Sequence, residues 1–216
     1  MIYNIVNEKV LNPFSPTYSI HIYEDNIIDD LKLDFLKNFL LNFEKEALKK
    51  YSYYSDGGTG LSKNSLTSRF KYYNLLKIKE TSYLKNIIRQ SYNNFLKELN
   101  LSIEEKIYVQ CWANVLRKGE KINVHRHETN NHGYLGGHIC VSTFNTSTHY
   151  VIPYFDKSYS IKNQNGMITL FPNWMEHYTD EVVSDEERIT IAFDIKTKDT
   201  WENTKTDIDI NHFEVI

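Results

Sequence analysis

Hydrophobic positions change their spacing near the middle of the chain. Between Asn26 and Lys50 the residues Ile27, Leu31, Phe35, Phe39, Leu40 and Phe43 recur mostly at steps of three and four. Acids come early and lysines late, as the helix dipole favours, and the stretch predicts one amphipathic helix. A second stripe, Tyr83, Ile87, Tyr92, Phe95 and Leu99, predicts another helix from near Glu80 to about Asn100. After Lys106 the period falls to two. IYVQCWANVL, INVHRH, HICVSTF, THYVIPYF, GMITLF and RITIAFDI are short, rich in β-branched and aromatic residues, and separated by Gly, Asn, Asp and Lys clusters. Several strands at such spacing predict an antiparallel sandwich or small barrel. The chain has no internal repeat and no Pro/Gly-rich linker, so the expected architecture is a single domain with helices packed against one face of a β core. The last twenty residues, TKDTWENTKTDIDINHFEVI, are polar and suggest a loosely attached tail.

Between the helices, SDGGTGLSKNSLTSRF (55–70) has the glycines of a phosphate loop without its register: Gly57, Gly58 and Gly60 do not fit Lys63, and no apolar strand leads in. A substrate lid or a plain surface loop are the remaining readings.

Composition narrows the class without deciding it. The chain has 216 residues, 41% of them hydrophobic and 14% aromatic, enough for a packed core, and a formal charge of −3. That charge gives no basic footprint for nucleic acid, although a local groove could hide within it. Cys111 and Cys140 cannot form a disulfide framework, MIYNIVNEKVLNPF has neither a basic n-region nor an apolar h-region, and no apolar run reaches transmembrane length. A cytoplasmic, reduced protein with no membrane partner is expected, and the sequons at Asn100 and Asn145 are then chance matches.

The candidate chemistry lies in VHRHETNNHGYLGGHIC (124–140), which holds four of the eight histidines. On a strand, His125 and His127 project from one face and can share a metal. His177, in GMITLFPNWMEHYTDE, is the candidate third ligand, following a β run and a turn at Pro172, Asn173 and Trp174. Eleven residues further on, Arg188 and Thr190 share a strand face, a guanidinium and a hydroxyl suited to gripping a carboxylate. Each element has a plain counterpart: surface histidines, a turn-capping histidine, and an arginine paired with Glu186 or Glu187.

In this order, H-x-H, distal His, then R-x-T, the sequence resembles the Fe(II)- and 2-oxoglutarate-dependent oxygenases, most closely a branch found in marine bacteria and cyanophages. The resemblance is carried by CWANVLRKGEKINVHRH, GMITLFPNWMEHYTDE and RITIAFDI over about residues 108–195, and GGTGLSKNSLTSRFKYYNLL extends it toward the N-terminus. It implies an α+β, mainly β fold: a double-stranded β-helix (jelly roll, cupin-like) core over 107–196, an N-terminal helical support and loop over 1–106, and a C-terminal tail over 197–216. It further implies that His125 and His177 bind Fe(II), that Arg188 with Thr190 holds the distal carboxylate of 2-oxoglutarate, and that ascorbate supports turnover. A hydroxylase of unidentified substrate follows. Small molecule, protein side chain and nucleobase all fit as substrate; a phage-encoded member would act in the host cytoplasm, and a homodimer has room to form. Substrate contacts are expected from Trp112, Asn114, Asn64 and Arg69.

One departure stands at residue 127, where the commonest triad has Asp or Glu. Either His127 is itself a ligand, or a turn brings Glu128 to the metal, or the metal is lost. The competing functions are a three-histidine dioxygenase that does not use 2-oxoglutarate, and a non-enzymatic jelly-roll binding module. His132, His138 and His149 stay open between lining and surface positions.

Overall fold

The computed structural model describes residues 1–6, 12–50, 66–67, 74–128, 133–154, 157–203 and 212–216. Asn64, Arg69, His132 and nearly all of the suspected lid lie outside them.

The predicted strands form two sheets. β1 (Ile2–Val6), β2 (Ser19–Asn26), β3 (Leu66–Thr67), β4 (Tyr108–Leu116), β5 (Leu135–Ser142), β8 (Met167–Pro172), β10 (Arg188–Lys196) and β11 (Glu214–Val215) make one sheet in the order β1-β2-β8-β5-β10-β4-β11, with β3 on β4. The smaller sheet is β7-β6-β9, built from β6 (Ser147–Val151), β7 (Ser158–Lys162) and β9 (His177–Thr179). All pairings are antiparallel. This is a jelly-roll core, a double-stranded β-helix, as expected.

Alternation sorts the large sheet into two faces. Val109, Cys111, Ala113 and Val115 of β4, Ile139 and Val141 of β5, Ile168 and Leu170 of β8, and Ile189, Ile191, Phe193 and Ile195 of β10 join one apolar cluster. The buried residues of α1 (Leu33–Lys50) and α2 (Leu84–Glu98), including Leu36, Leu40, Ile88 and Tyr92, complete it. Gly137 stands opposite Phe193, and a Cβ there would meet the Phe193 ring and, at 2.5 Å, the Thr169 carbonyl oxygen. The missing side chain lets the ring lie flat on the strand.

Three expectations need correction. The helix expected from Asn26 begins only at Leu33; a 3-10 turn (Ile28–Asp30) precedes it, and Leu31 is extended (φ −100°, ψ 134°). The N-terminal half is also less helical than its stripes suggest, because β1 and β2 extend the large sheet through β8. In β2, Ile20, Ile22 and Tyr23 are all buried, so the period-two signal is blurred. At the other end the polar tail is anchored at both its ends. α3 (Lys198–Asn203) starts on reciprocal Thr197–Thr200 bonds, Trp201 stacks on Tyr108 with centroids 5.6 Å apart, and Phe213 is buried against Trp201 before β11 pairs with β4. Among the described residues no helix is long and apolar enough to cross a membrane.

Candidate metal centre

The segment INVHRH is not a regular strand. It touches the small sheet through an isolated bridge, His125 N–H to the His177 carbonyl at 3.1 Å and His177 N–H to the His125 carbonyl at 2.9 Å, and His127 N–H donates to the Asn173 carbonyl at 3.0 Å. Those bonds fix the segment against the turn after β8, and the two histidines still converge: their Nε2 atoms are 3.3 Å apart. His177, at the start of β9, completes the cluster, with the three candidate ligand atoms all within 4.8 Å of one another.

Each ring is oriented from behind. His125 Nδ1 faces the Asn123 carbonyl at 2.9 Å, His177 Nδ1 the Met175 carbonyl at 2.9 Å, and His127 Nδ1 the Asp194 carboxylate at 2.6 Å. Acceptors at Nδ1 place the proton there and leave the Nε2 lone pairs for a cation, the tautomer metal ligation requires. Burial, then the neighbouring imidazoles, hold His177 well below the ordinary histidine pKa, so it is neutral and ready to ligate. Three convergent imidazoles in one pocket fit a first-row divalent metal. Glu128 takes no part in this cluster; its carboxylate lies 3.5 Å from Lys196 Nζ.

The interior between the two sheets carries the rest. Arg188, 2% exposed, is far from the surface pairing with Glu186 or Glu187 that was its plain alternative. Its Nε donates to Thr146 Oγ1 at 3.2 Å, whereas Nη1 is buried without a hydrogen-bond partner among the described residues. Burial pushes its pKa down from the usual arginine range. Tyr150 OH on β6, Thr169 Oγ1 on β8 and His138 Nε2 on β5 are likewise buried and unpartnered. His138 is held near pKa 3 by burial and then by Arg188, so it is neutral. An unpaired buried polar group costs on the order of 1–3 kcal/mol, and four such groups facing one interior from both sheets indicate a polar ligand between them. A guanidinium with two hydroxyls suits a carboxylate. Cys140, pushed up to about 12 by burial, stays a neutral thiol.

The other anticipated residues fall as follows. Thr190 is buried beside Arg188 on the same face, and Asn114 pairs with it across β4. The Trp112 ring lies 5.4 Å from that of His127, at the metal end. His149 faces away, bonded to Ser160 Oγ at 2.7 Å and Asp180 at 2.8 Å on the outer side of the small sheet. Three residues were not anticipated. Asp194 had a legible signal, since it shares the period-two face of Arg188 and Thr190; Tyr150 and Thr169 had none, because their partners come from other strands.

Residues 141–194 match the sequence family described as "Putative 2OG-Fe(II) oxygenase". No curated protein matches the chain in sequence. Solved structures share its fold. A prolyl-4-hydroxylase from Pseudomonas putida has a TM-score of 0.56 at 9% identity, with 82% of this chain and 92% of that one covered. A prolyl hydroxylase from Trichoplax adhaerens, solved with a hypoxia inducible factor peptide fragment, gives 0.56 at 11%, covering 86% and 87%. The viral collagen prolyl hydroxylase of Paramecium Bursaria Chlorella virus-1 gives 0.52 at 12%, covering 82% and 96%. At such identities these likenesses speak for the jelly-roll fold, while the family match falls on the segment that carries His177, Arg188 and Thr190. With this sequence match over residues 141–194 and this fold around three convergent imidazoles, the chain is similar to the 2OG-Fe(II) oxygenases, oxidoreductases that use Fe(II) and 2-oxoglutarate.

Proposed function

We propose that the protein is a hydroxylase in which His125, His127 and His177 hold Fe(II), while Arg188, with Thr190, Tyr150 and Thr169, takes the distal carboxylate of 2-oxoglutarate. The observation that carries the reading is the buried Arg188 Nη1, which has no hydrogen-bond partner among the described residues and stands on the inner face of the large sheet, opposite the small sheet that carries His177. When bound, Fe(II) and 2-oxoglutarate activate dioxygen, so that 2-oxoglutarate becomes succinate and carbon dioxide while a substrate C–H becomes C–OH. The chain's own share is positional. Arg188 sets the orientation of the dicarboxylate by charge-assisted bonds, and the Tyr150 and Thr169 hydroxyls satisfy its remaining lone pairs. His138, neutral, gives a polar contact without adding a cation beside Arg188. The aromatic packing of Tyr150, Phe171 and His177, with Phe171 and His177 centroids 4.7 Å apart, keeps water from the pocket. Trp112, beside His127, walls the side on which substrate approaches, and Asn114 supports the Arg188 end.

The test is an anaerobic Fe(II) titration followed by 2-oxoglutarate, recording the visible metal-to-ligand charge-transfer band. The band is expected in the wild type, absent in His177→Ala for want of metal, and shifted to much higher 2-oxoglutarate concentration in Arg188→Ala. Iron binding with no band at any 2-oxoglutarate concentration overturns the assignment of the carboxylate site, and no saturable iron binding overturns the metal site.

A further inference from the structure

The three imidazoles are not equivalent. His125 and His177 lean on neutral backbone carbonyls, whereas His127 leans on a carboxylate, Asp194, at 2.6 Å, with both side chains almost wholly buried. His127 also occupies the position where the common facial triad has its own carboxylate. We propose that Asp194 is the displaced carboxylate of this metal site: a positioning residue that returns, from behind the His127 ring, the negative charge lost from the ligand shell. The inference rests on the metal reading above.

Charge balance supplies the argument. A divalent cation held by two imidazoles and a carboxylate leaves one net positive charge; three imidazoles leave two. A low-dielectric interior penalises each uncompensated charge by several kcal/mol, and Asp194 cancels one through a strong charge-assisted bond. The bond also makes the imidazole a better donor toward the metal, since a carboxylate on Nδ1–H raises ligand basicity. The fold makes room for this. Asp194 pairs with Gly136 on β5, which has no side chain to compete, and a Cβ at Gly136 would already be 3.4 Å from Asp194 Oδ1, from Asn173 and from Phe171. Asp194 lies on the same face of β10 as Arg188 and Thr190, so one strand would serve both ends of the cofactor site.

The test uses Co(II), whose ligand-field spectrum reports coordination without turnover, in anaerobic competition titrations. Asp194→Asn keeps an acceptor for Nδ1–H and removes only the charge; it should weaken Co(II) and Fe(II) about 10- to 100-fold and raise the iron midpoint potential. In the double variant H127D/D194N the carboxylate moves into the ligand shell, and affinity should return to within a few-fold of wild type. A wild-type affinity in Asp194→Asn, or no recovery in the folded double variant, overturns the proposal while leaving the metal site standing. Absence of any Co(II) binding in the wild type, equal to His177→Ala, overturns the site itself. Should Asp194→Asn fail to fold, NMR of the Zn(II)-loaded wild type decides: the Nδ1–H of His127 must be the furthest downfield of the three, and a shift equal to the other two sinks the idea.

Discussion

Along β10 every side chain from Arg188 to Lys196 is buried, yet the strand divides into two unlike halves. Ile189, Ile191, Phe193 and Ile195 face α1 and α2, where nothing but apolar contact is required. Arg188, Thr190, Asp194 and Lys196 face the interior between the sheets, equally dry, with charged or polar groups that each need a partner. Asp194 meets His127, Lys196 meets Glu128, and Arg188 keeps an unpartnered Nη1. Burial is therefore the same on both sides while its energetic meaning is opposite. The outer face stores stability, and the inner face holds polar groups at a cost that ligands offset.

The sharpest break of this comparison is Phe193→Ala. It removes a ring with 0% exposure packed over Gly137 and should cost about 3–5 kcal/mol. Denaturant unfolding measures the loss; the folded fraction should bind metal and 2-oxoglutarate as the wild type does. The converse substitution, Arg188→Met, keeps side-chain bulk and removes the buried charge. It should leave the apoprotein as stable or more so, since replacing buried charge by apolar volume is often neutral or stabilising, while 2-oxoglutarate affinity falls about 100-fold, near 2.7 kcal/mol. A large stability loss here with affinity intact would erase the distinction between the faces.

A gentler probe is acid. His138 and His177 are neutral in the fold with depressed pKa values, that of His138 near 3 against an ordinary 6.5. The unfolded chain binds their protons more readily, so metal-free stability should be full above about pH 6.5 and decline as pH falls from there toward 3. His138→Gln should flatten part of that slope in pH-dependent thermal melts. The smallest effect lies outside both faces: Lys37→Ala breaks the half-exposed pair with Glu186, 3.0 Å, and should change stability by less than about 0.5 kcal/mol.

These two faces also mark what could be known from the chain alone. Period two in RITIAFDI and IYVQCWANVL was enough for the strands, because alternation is local and each strand repeats it. H-x-H followed by a distal histidine and R-x-T was enough to suggest the ligands through the family resemblance of their order, even though INVHRH is not a strand. The edge strand β1 and its neighbour β2 escaped notice, because burial on both sides of β2 removed the alternation that would have marked them. The tail misled for the reverse reason, its few anchors, Trp201 and Phe213, being sparse among polar residues. That Asp194 stands behind His127, and that Tyr150 and Thr169 face the same interior as Arg188, depends on which strands become neighbours and how the two sheets close: β10 beside β5, and β6 beside β9. Sequence fixes periodicity and composition over a few residues, whereas the pairing of segments tens of residues apart is set by closure of the whole core, and only that closure decided which polar groups meet.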